Sequence, residues 1–166
     1  LRLRPQDVPV QTVIDWDVQV SGGTIETHYI DHYRNQVDLV NVDRNMQEVA
    51  ITAQGRVEPH DATGIFGKIY GPAPLWHFLQ PTPATQSDAA IVDLAKGVGQ
   101  ASDVIAAMHD LAARILKAVP YETGKTVSHT SAAQALQVGA GVCQDHAQIF
   151  ISAVRTQGIP ARYVSG

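Results

Sequence analysis

Gly141-Val142-Cys143-Gln144-Asp145-His146 contains the single cysteine of a 166-residue chain. Two glycines, Gly139 and Gly141, lead into it and leave the backbone free just before the thiol. Over residues 144–157 a helix is expected, because Ala147, Phe150, Ile151 and Val154 are spaced to form one apolar stripe. Gly158 is a stop signal and Pro160 blocks continuation. The thiol therefore falls in the first turn of a helix that packs inward. Unpaired N–H groups and the positive end of the helix dipole favour thiolate there. A cysteine so placed is a candidate nucleophile. The plain alternative is a buried, inert thiol, a common fate of free cysteine.

Two halves with different grammar flank this reading, with a boundary at residues 80/81. Residues 8–80 read as β. Ile14, Trp16, Val18 and Val20 alternate with Asp15, Asp17 and Gln19, which gives one apolar face. Ser21-Gly22-Gly23 is a turn signal, and residues 24–30 form the next strand. Residues 31–35 read as a tight connection. Val37, Leu39 and Val42 mark a third strand and residues 49–57 a fourth. Short strands joined by turns predict an antiparallel β-sandwich or barrel over residues 1–80.

Pro81-Thr82-Pro83 marks the junction, and the period then becomes helical. Ser87 or Asp88 can cap a helix bearing Ile91, Leu94 and Val98. Asp103 can cap a second, with Val104, Met108, Leu111, Ile115 and Val119 along one side and Pro120 at its end. Ser131 and Gln134 have the spacing of a capping box for a short third helix. The cysteine helix is the fourth, and residues 161–165 read as a strand. The fold class is therefore α+β, with a β-domain over residues 1–80 and a helical, cysteine-bearing domain over residues 81–166.

Composition narrows the function. Hydrophobic content of 45% with 17% charged residues is that of a globular chain. A net charge of -4 and scattered basic residues speak against nucleic acid as a partner. One cysteine excludes an internal disulfide framework and a Cys-rich zinc site, and it fits a reducing, cytoplasmic compartment. No apolar run is long enough to span a membrane, and the start of the chain does not read as a signal peptide.

Residues 141–147, followed by Gly158-Ile159-Pro160-Ala161-Arg162-Tyr163-Val164-Ser165-Gly166, closely resemble the nucleophile segment of bacterial transglutaminase-like proteins, which have the papain-like cysteine fold. Tyr121, Gly124, Thr126 and Thr130 fall where that family has a tyrosine, glycine and threonine pattern. Residues 31–35 resemble its Asp-aromatic-Gly-Asn turn, with Arg34 in place of glycine. The resemblance implies a Cys-His-Asp triad in which Cys143 is the nucleophile. It places the histidine and aspartate on strands after the Arg-Tyr-Val-Ser-Gly stretch, past Gly166. Residues 81–166 would thus be the nucleophile-bearing half of a transglutaminase-like core.

In the chemistry so implied, thiolate attacks an amide carbonyl, and histidine takes the thiol proton and returns it to the leaving amine. The aspartate holds the imidazole tautomer. The backbone N–H of Cys143 faces the oxyanion. The expected partner is a protein or peptide substrate, and the bacterial look of the family favours hydrolysis over crosslinking. No cofactor is needed, and no EF-hand-like acidic loop implies calcium. This chain alone is expected to be inactive. The competing reading is a non-catalytic binding or scaffolding module in which Cys143 is inert.

The other polar residues nearby read as structural. His146 shares a helical face with Cys143 but cannot also reach a leaving group, so it reads as a packing or hydrogen-bonding residue. Asp145 reads as a helix-start carboxylate. The residues alone do not decide between a cleft role and none for Gln144. His129 reads as surface loop, and His109 as an exposed or half-buried helical residue. Gly124-Lys125-Thr126 lacks the earlier glycine of a phosphate loop, which would fall at Val119. His28 and His32 lie on strand and turn, a poor zinc pair. The run Leu75–Leu79 reads as packing at the junction. A core cut after its first strand would leave an apolar edge uncovered, so self-association is expected of this chain by itself.

Overall fold

The computed structural model describes residues 1–61 and 71–164. The chain divides into two compact units, Leu1–Ala73 and Pro74–Gly166.

The first unit is built on two antiparallel strand pairs. Strand β1 (Gln11–Ser21) pairs with β4 (Ala50–Pro59), and β2 (Gly23–Ile30) pairs with β3 (Gln36–Val42). Val18 is buried, and Trp16 and Val20 are half-buried, as their alternation predicts. Ile14 is not part of that face and is 52% exposed. The register slips between Val13 and Asp15, and one extra residue at a bulge turns every side chain before it to the opposite face. Between β3 and β2 the Asp38 side chain is 1% exposed. Burial pushes its carboxyl upward, but hydrogen bonds from Arg4 Nε and His28 Nδ1, with the charge of both partners, outweigh it and hold it below its ordinary value.

The β2–β3 connection turns on Arg34, whose φ of 67° is left-handed, a conformation glycine adopts freely and arginine does not. The turn closes around Asp31 instead. Its carboxylate accepts from Tyr33 N at 2.8 Å, Asn35 N at 2.9 Å and Asn35 Nδ2 at 3.0 Å. Arg2 Nε adds a contact at 2.9 Å. Burial alone would raise the Asp31 carboxyl. The Asn35, Tyr33 and Arg2 hydrogen bonds prevail and lower it from 3.8 to about 2. A carboxyl depressed on folding contributes stability above its unfolded value and loses it as pH falls through the folded one. The β-unit is therefore expected to weaken between about pH 4 and about pH 2. Asp31→Asn removes that part of the acid-unfolding curve, as followed by circular dichroism; an unchanged curve would show that the turn does not depend on the charge.

The second unit is helical. It opens on a 3-10 turn, Leu75–Leu79, in which Trp76 is largely exposed. Helix α1 (Ala89–Leu94) starts where the Asp88 side chain accepts from Ile91 N, and it ends before Gly97, at φ 83°, so that Val98 falls in a further 3-10 turn. Helix α2 (Val104–Ala118) starts on Asp103, which accepts from Ala106 N. Helix α3 (Ala132–Val138) starts on the full Ser131/Gln134 capping box and ends on Gly139 at φ 69°. Helix α4 (Cys143–Thr156) follows. Ile91, Val98, Leu111, Ile115, Val119, Ala132, Ala135, Ile149, Ala153 and Val154 form one buried cluster. No described helix is long and apolar enough to cross a membrane.

One expectation is corrected here and another is widened. Residues 161–164 are not strand, and Ser165 and Gly166 lie outside the described residues. A strand needs a partner for its backbone groups. Here Ala161 N donates to the Phe78 carbonyl, while Arg155 Nε and Nη2 donate to the Ala161 carbonyl. Arg155 also reaches Phe78 O and Thr85 Oγ1, so this one guanidinium ties the end of α4 to the 3-10 segment and to the tail. On α4 the predicted stripe widens. Ile151 and Val154 are buried as expected and Phe150 packs half-buried against the core, but Asp145, Ile149, Ser152 and Ala153 are buried too. Ala147, Phe150 and Ile151 also line a groove. Gln148, Ser152, Arg155 and Thr156 fall on one side of α4, and the apolar arc opposite them takes in about half the helix, wider than the one stripe expected.

Candidate active site

Cys143 is the first helical residue of α4, and its side chain is exposed. Val142 before it is extended, with φ -117° and ψ 179°, which starts the helix at the thiol. Valine has no side-chain acceptor for the open N–H groups of the first turn. The capping comes from the other direction. The Asp145 carboxylate turns back and accepts from Val142 N at 2.8 Å and from the Thr126 hydroxyl at 2.6 Å, in a side chain only 2% exposed. The expected helix-start carboxylate is thus also a buried tie to the preceding loop.

That loop is fastened at further points. Tyr121 and Gly141 form a parallel bridge, with Glu122 N to Gly141 O at 2.8 Å and Gly141 N to Pro120 O at 3.2 Å. Gln144 Nε2 donates to Ser128 O at 3.0 Å and so ties the loop beside the thiol. Thr130 Oγ1 accepts from Val127 N within the same loop. The glycines are explained differently from one another. Gly139 supplies a left-handed φ, whereas Gly141 supplies space, since a Cβ there would stand 2.7 Å from Asp145 Oδ2 and 3.0 Å from its Cβ.

His146 points away from nucleophilic work. Its Nε2 lies 2.7 Å from the Val119 carbonyl, so the ring N–H donates there and the imidazole braces α4 against the end of α2. His129 is exposed on the loop and His109 is exposed on α2. His28 is engaged with Asp38 in the first unit. Among the described residues no group of three or more His, Cys, Asp or Glu side chains is placed to hold a metal ion.

Along α4, Cys143, His146, Ala147 and Phe150 share one face at spacings of three, four and seven. From His146 onward that face lines a groove of about 510 Å³, walled also by Ile115 and Leu116 of α2 and by residues 162–164. Leu116, Tyr163 and Val164 are exposed. The surface offers an accessible thiol with apolar ground leading away from it.

An antiparallel β-unit followed by helices, the last opening on an exposed cysteine, is an architecture of the papain-like cysteine-enzyme class. Residues 92–166 match the model of the transglutaminase-like superfamily core, and residues 1–58 match that of the bacterial transglutaminase-like N-terminal region. Each unit of the chain is thus matched by a model of the transglutaminase-like kind. An uncharacterized protein of Mycobacterium leprae is 29% identical over 173 residues, which take in 99% of this chain and 62% of that protein. An uncharacterized protein of Mycobacterium tuberculosis is 38% identical over 63 residues, 38% of this chain and 20% of its own. A crystal structure described as that of a candidate cysteine protease from Cytophaga hutchinsonii superposes with a TM-score of 0.69 at 21% identity, over 96% of this chain and 57% of that one. At that identity the likeness shows the fold. The chain spans about 62% of the length of the Mycobacterium leprae relative.

Proposed function

We propose that Cys143 is the nucleophile of a cysteine enzyme that cleaves amide bonds, a peptidase or amidase, and that the histidine and aspartate completing its triad lie in a segment past Gly166. The observation that carries this reading is the exposed thiol at the first residue of α4, above a first turn organised by a buried carboxylate. An inert core cysteine would be buried as Ile149 and Ala153 are, whereas Cys143 is exposed. The N–H groups of the first turn, Cys143 among them, are the donors available to an oxyanion. The groove from Ala147 to Phe150 is the surface against which we place the downstream strands.

Hydrolysis is favoured over crosslinking on the character of the family, and the expected substrate is a protein or peptide. The 166-residue chain is expected to be carbamidomethylated by iodoacetamide at Cys143, as read by mass spectrometry. It is expected to show no amide turnover and to self-associate through the uncovered groove in light scattering. Measurable turnover by these residues, lost in Cys143→Ala, would overturn the assignment of the base to a downstream segment. A thiol that resists iodoacetamide would favour a non-catalytic module.

A further inference from the structure

We infer that Thr126 and Asp145 are a positioning pair for Cys143: the bridge from the Thr126 hydroxyl through the Asp145 carboxylate to the Val142 N–H fixes the loop of residues 121–130 beside the thiol and keeps the carboxylate's charge engaged. The inference rests on Cys143 being the nucleophile.

The geometry makes this bridge unlike an ordinary helix cap. An N-terminal carboxylate normally sits in solvent and accepts from its own first turn. Asp145 is 2% exposed, and one of its two short hydrogen bonds leaves the helix for a residue nineteen positions earlier, at 2.6 Å. The Val142 N–H it holds at 2.8 Å belongs to the residue directly before the cysteine. Gly141 leaves the room this carboxylate occupies. A negative charge two residues from a thiol competes with a thiolate for the same helix N-terminus. A hydroxyl and an amide N–H, both donating to it, disperse that charge. The pair therefore does two things for Cys143. It sets the backbone entering α4, and it lets a carboxylate serve as the cap without opposing the thiolate at full strength.

The two effects separate by substitution. Thr126→Val keeps the shape and removes the donor, leaving the charge less satisfied and the loop released. Asp145→Asn, with its amide oxygen in the place of Oδ2, keeps one acceptor for both the Val142 N–H and the Thr126 hydroxyl, and removes the charge. The rate constant of the full-length protein with iodoacetamide at pH 7 is expected to fall by about threefold to tenfold in Thr126→Val. It is expected to return to within about twofold of the unaltered value in Thr126→Ser, and to rise in Asp145→Asn. A scaffold role alone would lower both Thr126→Val and Asp145→Asn together, in step with their thermal midpoints, and that result would overturn the inference. So would a Thr126→Val rate equal to that of the unaltered protein while its Cys143 reacts faster than free glutathione, an outcome that leaves the nucleophile reading standing. A Cys143 no faster than glutathione in the unaltered protein would sink the nucleophile reading and this inference with it.

Discussion

Cys143→Ala is expected to lower amide turnover by the full-length protein by about 10⁴-fold or more, because removal of a covalent nucleophile leaves only binding and oxyanion stabilisation. The same substitution is expected to shift stability by less than about 0.5 kcal/mol, since the side chain is exposed and anchors nothing in the core. The separation of the two effects is the content of the prediction. A buried structural thiol would show the reverse, a loss of stability with activity falling only as the folded fraction falls. Cys143→Ser should behave like the alanine variant, because a hydroxyl at the same place is a far weaker nucleophile near neutral pH. The measurement is steady-state hydrolysis of a chromogenic peptide amide beside thermal unfolding on the same preparations. Retained turnover in Cys143→Ala would remove the thiol from the mechanism and leave the β-unit and helices as a binding module.

Much of the helical unit was legible in the residues themselves, because helix ends depend on local chemistry. Asp88, Asp103 and Ser131 each precede an apolar run by a spacing that only helix starts require, and each caps as expected. Gly158 at φ 75° ends α4 as its position implies. What the residues did not disclose is non-local. The widening of the core stripe on α4 to Ile149 and Ala153 depends on which neighbours cover the helix, because its apolar arc is broader than one packing face. Nothing in the local sequence marks Arg155, yet its three reaches, to Phe78, Thr85 and Ala161, hold separate parts of the unit together. Asp145 was recognisable as a helix-start carboxylate, but its bond to Thr126 spans a loop whose path no periodicity encodes. The outward turn of Ile14 follows from a single bulge, and alternation rules cannot anticipate an inserted residue.

Gly141→Ala is expected to destabilise the helical unit by about 2–4 kcal/mol, through overpacking joined to the disturbance of a buried, hydrogen-bonded carboxylate. The added methyl would meet Asp145 Oδ2 at 2.7 Å, its Cβ at 3.0 Å and its Cγ at 3.1 Å. The oxygen alone could swing aside. The Cβ cannot, being fixed to the first turn of α4, and swinging the oxygen breaks the bonds to Val142 N and Thr126 Oγ1. Gly141 also carries both backbone bonds to Pro120 and Glu122, so the chain cannot retreat without opening that bridge. For a domain of this size the loss corresponds to a fall in Tm of about 10 °C or more. Gly139→Ala is the control, because the two glycines answer to different physics. At Gly139 a Cβ meets only Ala118 O at 3.8 Å, and the cost of about 1–2 kcal/mol is that of a left-handed backbone. Asparagine tolerates that conformation and should recover much of the loss at position 139, whereas at position 141 it should be worse than alanine. Equal responses of the two positions to Asn would show that the Gly141–Asp145 approach is not what holds the start of the cysteine helix.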